Sequence, residues 1–357
     1  VEYPGPDPRA RRLDPVQWAV VFKFTSFGYN GLGSGVIQFT PHPSGAPVVI
    51  LVQQDVSINN GGTLYLQGSN GNGYALAAAP PGGFRGGAAA FGSLPGAAGF
   101  GPGGGNYDPI SDPPGSGSFA TSGTGPSGAL YGNASIIPLI GGSGGAGRYA
   151  HGYGGASGGG AIMIAAQGTI SLTSGRIYAY GGSSSWSFGG GSGGAIRLIG
   201  NTVIVDATST LAANGVAGGG DGRIRVEANT RTLSGSVVPP PSAITPNQTP
   251  QIWPDSTTPR LEIVSVGGTN APADPRSNLF QPDIELNEGG QKTVVVHAYN
   301  VPTDGTWQVQ VRLTPRNGKE SFVTCTYVSG NQGSSIWQGS LNFDVGSAAM
   351  IARAHRL

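Results

Sequence analysis

The sequence predicts an all-β protein: a short right-handed parallel β-helix (solenoid) with Gly-rich insertions, followed by a β-sandwich. Three observations carry this. Helical periodicity is missing, because Gly and Pro interrupt nearly every window long enough to show it. Short apolar runs recur at a constant offset. A Pro-rich stretch then separates this region from a C-terminal region of longer alternating runs.

Composition sets the frame. The chain has 65 Gly and 28 Pro in 357 residues, about a quarter of its length, close to the range where disorder becomes the default. Against that, 38% of residues are apolar and fall in β-branched runs such as Trp18–Phe24, Gly35–Phe39 and Pro47–Val52. Charged residues are only 10%, and 19 Lys+Arg against 18 Asp+Glu leave a net charge of +1. That balance gives no basis for a nucleic-acid or anionic-membrane partner. A sparsely charged surface rich in Gly, Ser, Thr and Asn reads as secreted, extracellular or at the cell surface. No run of about 18 apolar residues exists, so no membrane span is expected. The chain opens at Val1 without Met, which reads as a processed or trimmed N-terminus.

The repeat is the strongest signal. Residues 161–181 and 195–215 align at an offset of 34: Ala161 with Ala195, Ile162 with Ile196, Ile164 with Leu198, Ile170 with Ile204, Ile177 with Leu211. Residues 49–68 match the second half of this unit after a one-residue slip, placing Val56 over Ile170 and Tyr65 over Tyr178. A truncated further copy begins at Gly222-Arg223-Ile224-Arg225-Val226. Each unit holds three alternating runs separated by Gly, Asn, Thr or Ser corners, as one turn of a parallel β-helix requires. An antiparallel meander would also give short strands. One turn cannot bury its apolar face alone, whereas stacked turns share a core.

The Gly-rich stretches 69–160, 182–194 and 216–222 each follow a unit at the same corner. They read either as flexible spacers or as packed, side-chain-free segments of polyproline-II type. Tyr149, Tyr153, Trp186 and Phe188 punctuate these runs and are the candidate contact surface for a surface glycan or other ligand. The expected organisation is an extended N-terminal arm at 1–15, a solenoid domain at 16–238, a Pro-rich linker at 239–259 and a sandwich at 260–357. In the last, strands are expected at Arg260–Val266, Thr293–Asn300, Thr306–Thr314, Ser321–Val328 and Ser335–Val345. Their spacing and the Asn317-Gly318 turn suggest an immunoglobulin- or fibronectin-like sandwich, with Trp307 and Trp337 as core or edge aromatics.

Chemistry is sparse. The single Cys325 excludes an intramolecular disulfide and reads as a small buried hydrophobe in a strand. Four scattered histidines (His42, His151, His297 and His355) show no metal-ligand spacing. His297 sits in a strand, where a structural role is expected. Asp55, Asp108, Asp112, Asp206, Asp221 and Glu227 are isolated acids, without the paired arrangement a glycosidase needs or the basic partner and calcium ligands of a lyase. No enzyme, metal or cofactor is expected.

The run Gly-Gly-Gly-Ser-Gly-Gly-Ala-Ile-Arg-Leu at 189–198, with Gly-Asp-Gly-Arg-Ile-Arg-Val-Glu-Ala at 220–228, resembles uncharacterised glycine-rich bacterial β-helix surface proteins over residues 160–235. The glycine runs are also similar to the polyglycine-II layers of phage tail-tip adhesins and mycobacterial PGRS proteins. The expected function is a secreted structural protein, a subunit of an extracellular filament or homopolymer. An N-terminal arm with Tyr3, Arg9, Arg11 and Arg12 would dock on the neighbouring subunit. An adhesin or carbohydrate-binding protein is the alternative, and a polysaccharide-active enzyme the last.

Overall fold

The computed structural model describes residues 19–357 except 72, 75, 92–93, 110–112, 149–151, 185–188, 253–256, 273–281 and 317–318. All regular structure among the described residues is β, and the chain divides into two compact units, Val1–Trp253 and Pro254–Leu357.

The first unit is built from strand triplets. The first is β1 (Val20–Phe24), β2 (Phe27–Asn30) and β3 (Val36–Gln38). The second is β4 (Val48–Val52), β5 (Val56–Asn59) and β6 (Thr63–Tyr65). The third is β7 (Ala161–Ala166), β8 (Thr169–Thr173) and β9 (Arg176–Tyr178). In the next two triplets one long strand fills the first two places: β10 (Ala195–Val205) with β11 (Thr210–Ala212), then β12 (Arg223–Leu233) with β13 (Ser236–Val238). A short β14 (Ser242–Ile244) follows. Every pairing between these strands is parallel, giving a curled nine-stranded sheet that runs β1-β4-β7-β10-β8-β5-β2, with β12 and β14 added beyond β10, and a five-stranded sheet β13-β11-β9-β6-β3. The copy at Gly222 is therefore not truncated, because β12 pairs with β10 from Ala195 to Val205 and β13 pairs with β11.

Alternate residues point inward and stack on their equivalents. Ile162, Ile164, Ile170, Leu172, Ile196 and Leu198 are all 0% exposed. Burying each such side chain stabilises the fold by about 1.5–3 kcal/mol. The offset of 34 holds in the first strand, where Ile162 pairs with Ile196, and in the third, where Ile177 pairs with Leu211. In the middle strand it fails. Ile170 pairs with Val203 and Leu172 with Val205, not Ile170 with Ile204. The corner Ala166-Gln167-Gly168 has become Gly200-Asn201, one residue shorter, and the corner Asp206–Ser209 restores the count. A one-residue slip turns every side chain to the opposite face, so Val203 is fully buried and Ile204 faces outward, half-buried.

The Gly-rich segments form a packed layer. Each insertion leaves and returns through one backbone hydrogen bond at an equivalent place: Gly160 N–H to Leu66 O (2.8 Å), Gly194 to Ala179 (2.6 Å) and Gly222 to Ala213 (2.7 Å). Within the layer, Gly142 and Gly145 donate to Gly159 and Ala156, while Gly144 and Gly147 donate to Phe100 and Ala97. The carbonyls of Gly142 and Gly145 accept from Phe84 and Gly87. Each neighbour is met at every third residue. A segment with three residues per turn and outward-bonding backbone groups, as in polyproline II, would give this spacing. Residues 141–147 and 154–160 are buried throughout. Glycine is required here by close approach: a Cβ on Gly144, Gly155, Gly158 or Gly191 would overlap the carbonyl of Arg85, Gly145, Gly142 or Ser157, respectively, although none of the four has a positive φ. Five fully buried serines fit because each hydroxyl accepts a backbone N–H, Ser118 taking that of Gly123. Ser116 takes that of Gly189, Ser143 that of Gly103, Ser157 that of Ser69 and Ser192 that of Ser143.

One part of the longest insertion covers the outer face of the curled sheet. Phe119, Ile136 and Leu139 cluster with Val49, Ala161 and Ala195, and Arg223 donates to the Tyr131 carbonyl at 2.9 Å. Small residues at 161 and 195 leave room for this cover. The two ends of the stack differ. At the first triplet, Phe24, Phe27, Tyr29, Ile37 and Phe39 close the core while the strand edge itself has no described partner. At the other end, β14 and the prolines at 239–241 lie beyond the last full triplet, and proline has no N–H to extend a ladder.

The second unit is antiparallel. Its strands are β15 (Arg260–Val266), β16 (Thr269–Asn270), β17 (Gly290–Tyr299), β18 (Trp307–Pro315), β19 (Ser321–Thr324), β20 (Thr326–Asn331), β21 (Ser334–Phe343) and β22 (Ala348–Arg356). They form a five-stranded sheet β16-β15-β17-β21-β20 and a three-stranded sheet β19-β18-β22. Val294, Val296 and Ala298 of β17 share one core with Val309, Val311 and Leu313 of β18. Trp337 belongs to that core and donates its indole N–H to Ser335 at 2.9 Å, while Trp307 packs against its edge. The expected strand Ser321–Val328 breaks at Cys325, where the chain crosses from the small sheet to the large one and Cys325 N–H bonds Val309 O at 2.8 Å. β22 is a strand the expected set lacks.

Candidate functional site

The insertions run out from the strand triplets, reverse and return. Three of the reversals converge at the far end of the layer. Gly154 donates to Gly73, Ala90 to Arg148, and Arg148 to Tyr153, at 2.8–2.9 Å. Phe91 and Leu94 exchange two backbone hydrogen bonds. A fourth segment joins through Gly71, which donates to Ser183, and Asn70, whose side chain accepts from the Ser183 N–H at 2.9 Å.

Large apolar side chains stand on this end. Tyr74 is 55% exposed, Phe91 60% and Leu94 66%. The Tyr74 and Phe91 rings meet edge to face with centroids 4.8 Å apart. Tyr74 lies so close over Gly152 that a Cβ there would strike its ring, and Gly152 has a φ of +66°. The glycine thus seats the aromatic pair. Tyr153 belongs to the same end, half-buried, its carbonyl holding Arg148. Tyr149, Trp186 and Phe188 lie outside the described residues, as do Tyr3, Arg9, Arg11 and Arg12 of the N-terminal arm. Tyr74, Phe91 and Leu94 are the residues missing from the expected set. The signal that marks Tyr153, a bulky residue interrupting Gly/Ala-rich text, also marks Gly73-Tyr74 and Ala90-Phe91.

A second aromatic group, Tyr65, Tyr178 and Tyr180, sits on the outer face of the five-stranded parallel sheet. The Tyr178 and Tyr180 centroids are 5.2 Å apart. Burial, then the neighbouring Tyr65 and Tyr178, push the Tyr180 hydroxyl up to about 12.

Asp55, Asp206, Asp221 and Glu227 are tied to corners and strand faces, and Asp112 lies outside the described residues. Asp55 accepts from Thr169 N–H at 2.6 Å and Asp221 from Gly215 N–H at 3.2 Å. Asp206 accepts from the Ser209 hydroxyl (2.7 Å), the Thr208 hydroxyl (2.9 Å) and N–H (3.0 Å), and the Ser174 N–H (3.3 Å). The Ser209 hydroxyl leads the hydrogen bonds that hold the Asp206 carboxyl below its ordinary value. Glu227 bridges Arg197 and Arg225. Among the described residues no cluster of His, Cys, Asp and Glu is arranged to hold a metal ion. No family model, curated protein or solved structure matches the chain.

Proposed function

We propose that the protein is a secreted surface protein that makes adhesive contact through the Tyr74–Phe91–Leu94 end of its glycine layer. On this reading the strand triplets are a short right-handed parallel β-solenoid, the layer is of polyglycine-II type, and the second unit is an immunoglobulin- or fibronectin-like sandwich. One observation carries the reading: an exposed aromatic pair stands on a buried, backbone-bonded layer. Flexible glycine would lose this order, because holding an apolar contact surface in one geometry costs entropy that a prefolded stand has already met. Exposed aromatic faces suit a glycan. The test is a glycan array and a surface-adhesion assay comparing the intact chain with Tyr74→Ala/Phe91→Ala. Loss of binding with an unchanged melting temperature supports the proposal; equal binding removes it.

The filament reading stands second, favoured by the edge of β1, β2 and β3, which pairs with no further strand among the described residues. Val21 (45% exposed), Phe22 (39%) and Val36 (55%) lie along it. Sedimentation at rising concentration tests it. Assembly that Phe22→Lys abolishes would favour the filament, and a monomer at every concentration would remove it.

A further inference from the structure

On the outer face of the large sheet in the second unit, five polar side chains from three adjacent strands touch in a row. Ser334 Oγ lies 2.7 Å from His297 Nε2, and His297 Nδ1 lies 3.0 Å from the Tyr299 hydroxyl. Tyr299 reaches Glu262 Oε2 at 3.4 Å, and the other oxygen of Glu262 pairs with Arg260 at 3.3 Å. The Arg260 guanidinium lies 4.2 Å over the Tyr299 ring. β15 supplies Arg260 and Glu262, β17 supplies His297 and Tyr299, and Ser334 opens β21. Glu262 and His297 are paired in register.

The His297 tautomer protonated at Nδ1 lets the row run in a single direction. A carboxylate only accepts, so the Tyr299 hydroxyl donates to Glu262. The Tyr299 oxygen then accepts from His297 Nδ1–H. That leaves the Nε2 lone pair to accept the Ser334 proton. A serine bonded to an imidazole lone pair, with the far ring nitrogen oriented by a chain ending on a carboxylate, is the arrangement of an activated nucleophile.

We propose that Ser334 is an acyl-accepting nucleophile, with His297 as its general base and Tyr299 and Glu262 as positioning residues. The substrate class is small activated carboxylic esters, since Ser334 is exposed on an open sheet face. Ser334 Oγ forms the bond to the acyl carbon while its proton passes to His297 Nε2. The ester C–O bond breaks, and the departing alkoxide takes that proton and leaves as the alcohol. Water then attacks the acyl-serine by the same route, releasing the carboxylic acid and restoring the hydroxyl.

The test uses the full chain and p-nitrophenyl acetate, following nitrophenolate release and mapping the acetyl group by peptide mass. The proposal expects one acetyl on Ser334 and a rate at least about 10²-fold lower in Ser334→Ala and in His297→Gln, at unchanged melting temperature. Glu262→Gln should slow acetylation less than either. Ser334→Ala removes only an exposed hydroxyl, so it decides the matter even if His297→Gln fails to fold. Acetyl groups on lysines with Ser334 unmodified, or an undiminished rate in Ser334→Ala or in a folded His297→Gln, would overturn it.

Discussion

Arg197 and Arg225 lie directly opposite each other in the parallel pairing of β10 and β12, and Glu227 holds both. Its Oε1 is 2.8 Å from Arg197 and 3.3 Å from Arg225, and all three side chains are at most 17% exposed. Like charges facing across a sheet repel, so the carboxylate is what makes the pair tolerable. Glu227→Gln is therefore expected to cost about 1–3 kcal/mol, read from the urea midpoint. Raising the salt from roughly 0.1 M to 1 M should shrink the deficit, because screening acts on the arginine repulsion that remains. A deficit independent of salt would show that the loss is not electrostatic.

Close approach in the glycine layer predicts a large cost for a small change. Gly158→Ala places a methyl group against the Gly142 carbonyl, and Gly155→Ala against that of Gly145. Each should destabilise by about 1–3 kcal/mol or more, through overpacking against backbone that has no free direction to move. Gly28→Ala is the control, since its Cβ would meet only Ser57 at 3.5 Å. It should shift stability by less than about 1 kcal/mol, in the stabilising direction. Equal effects at all three positions would argue against a packed layer.

The register of the middle strand is tested by two isoleucines. Ile170→Ala empties a fully buried position and should cost about 2–5 kcal/mol. Ile204→Ala, on the outer face, should cost less than about 1 kcal/mol. Thermal or urea unfolding of the two variants reads the difference directly. Similar losses would restore the unbroken offset and refute the slip.

Asp206 gives the acid limb a specific contributor. Its hydrogen bonds, that from Ser209 foremost, lower its carboxyl below the ordinary 3.8, so its stabilisation is present above that value and lost as pH falls through the lowered one. Asp206→Asn keeps the acceptor oxygen and removes the charge. The variant should melt below the wild type near neutral pH, and the gap should close on acidification below about pH 4. A gap that is constant across this range would mean that the charge contributes nothing.

Burial raises the Cys325 thiol from 9.0 to about 11. Two units leave about a hundredfold less thiolate near pH 8. A maleimide or disulfide reagent should therefore modify folded protein at least about a hundredfold more slowly than protein in urea. Rapid single-site labelling under native conditions would contradict the placement of Cys325 at the crossing between sheets.

Much of the first unit was legible because its strands carry their own code. Inward aliphatics at Ile162, Ile164 and Ile177 announce a period of two, and their recurrence at Ile196, Leu198 and Leu211 announces the stack. The common corner of the insertions followed from that alignment. Tyr153 was legible as a bulky interruption in glycine, and Tyr74 carried the same signal unread.

The sequence by itself determined the all-β composition, the strand triplets and the position at which glycine enters. Only the tertiary structure decided which face Ile204 takes, because two opposite changes in corner length cancel in the overall offset and leave no mark on the repeat. It also decided that the glycine segments pack against one another. Apart from a few buried serine hydroxyls, their contacts are made by backbone N–H and C=O groups, which every residue type but proline carries alike, so the side chains record little of which segment pairs with which. Glycine in the sequence says only that a side chain is absent. The fold gives the reason, in the carbonyl that occupies its place.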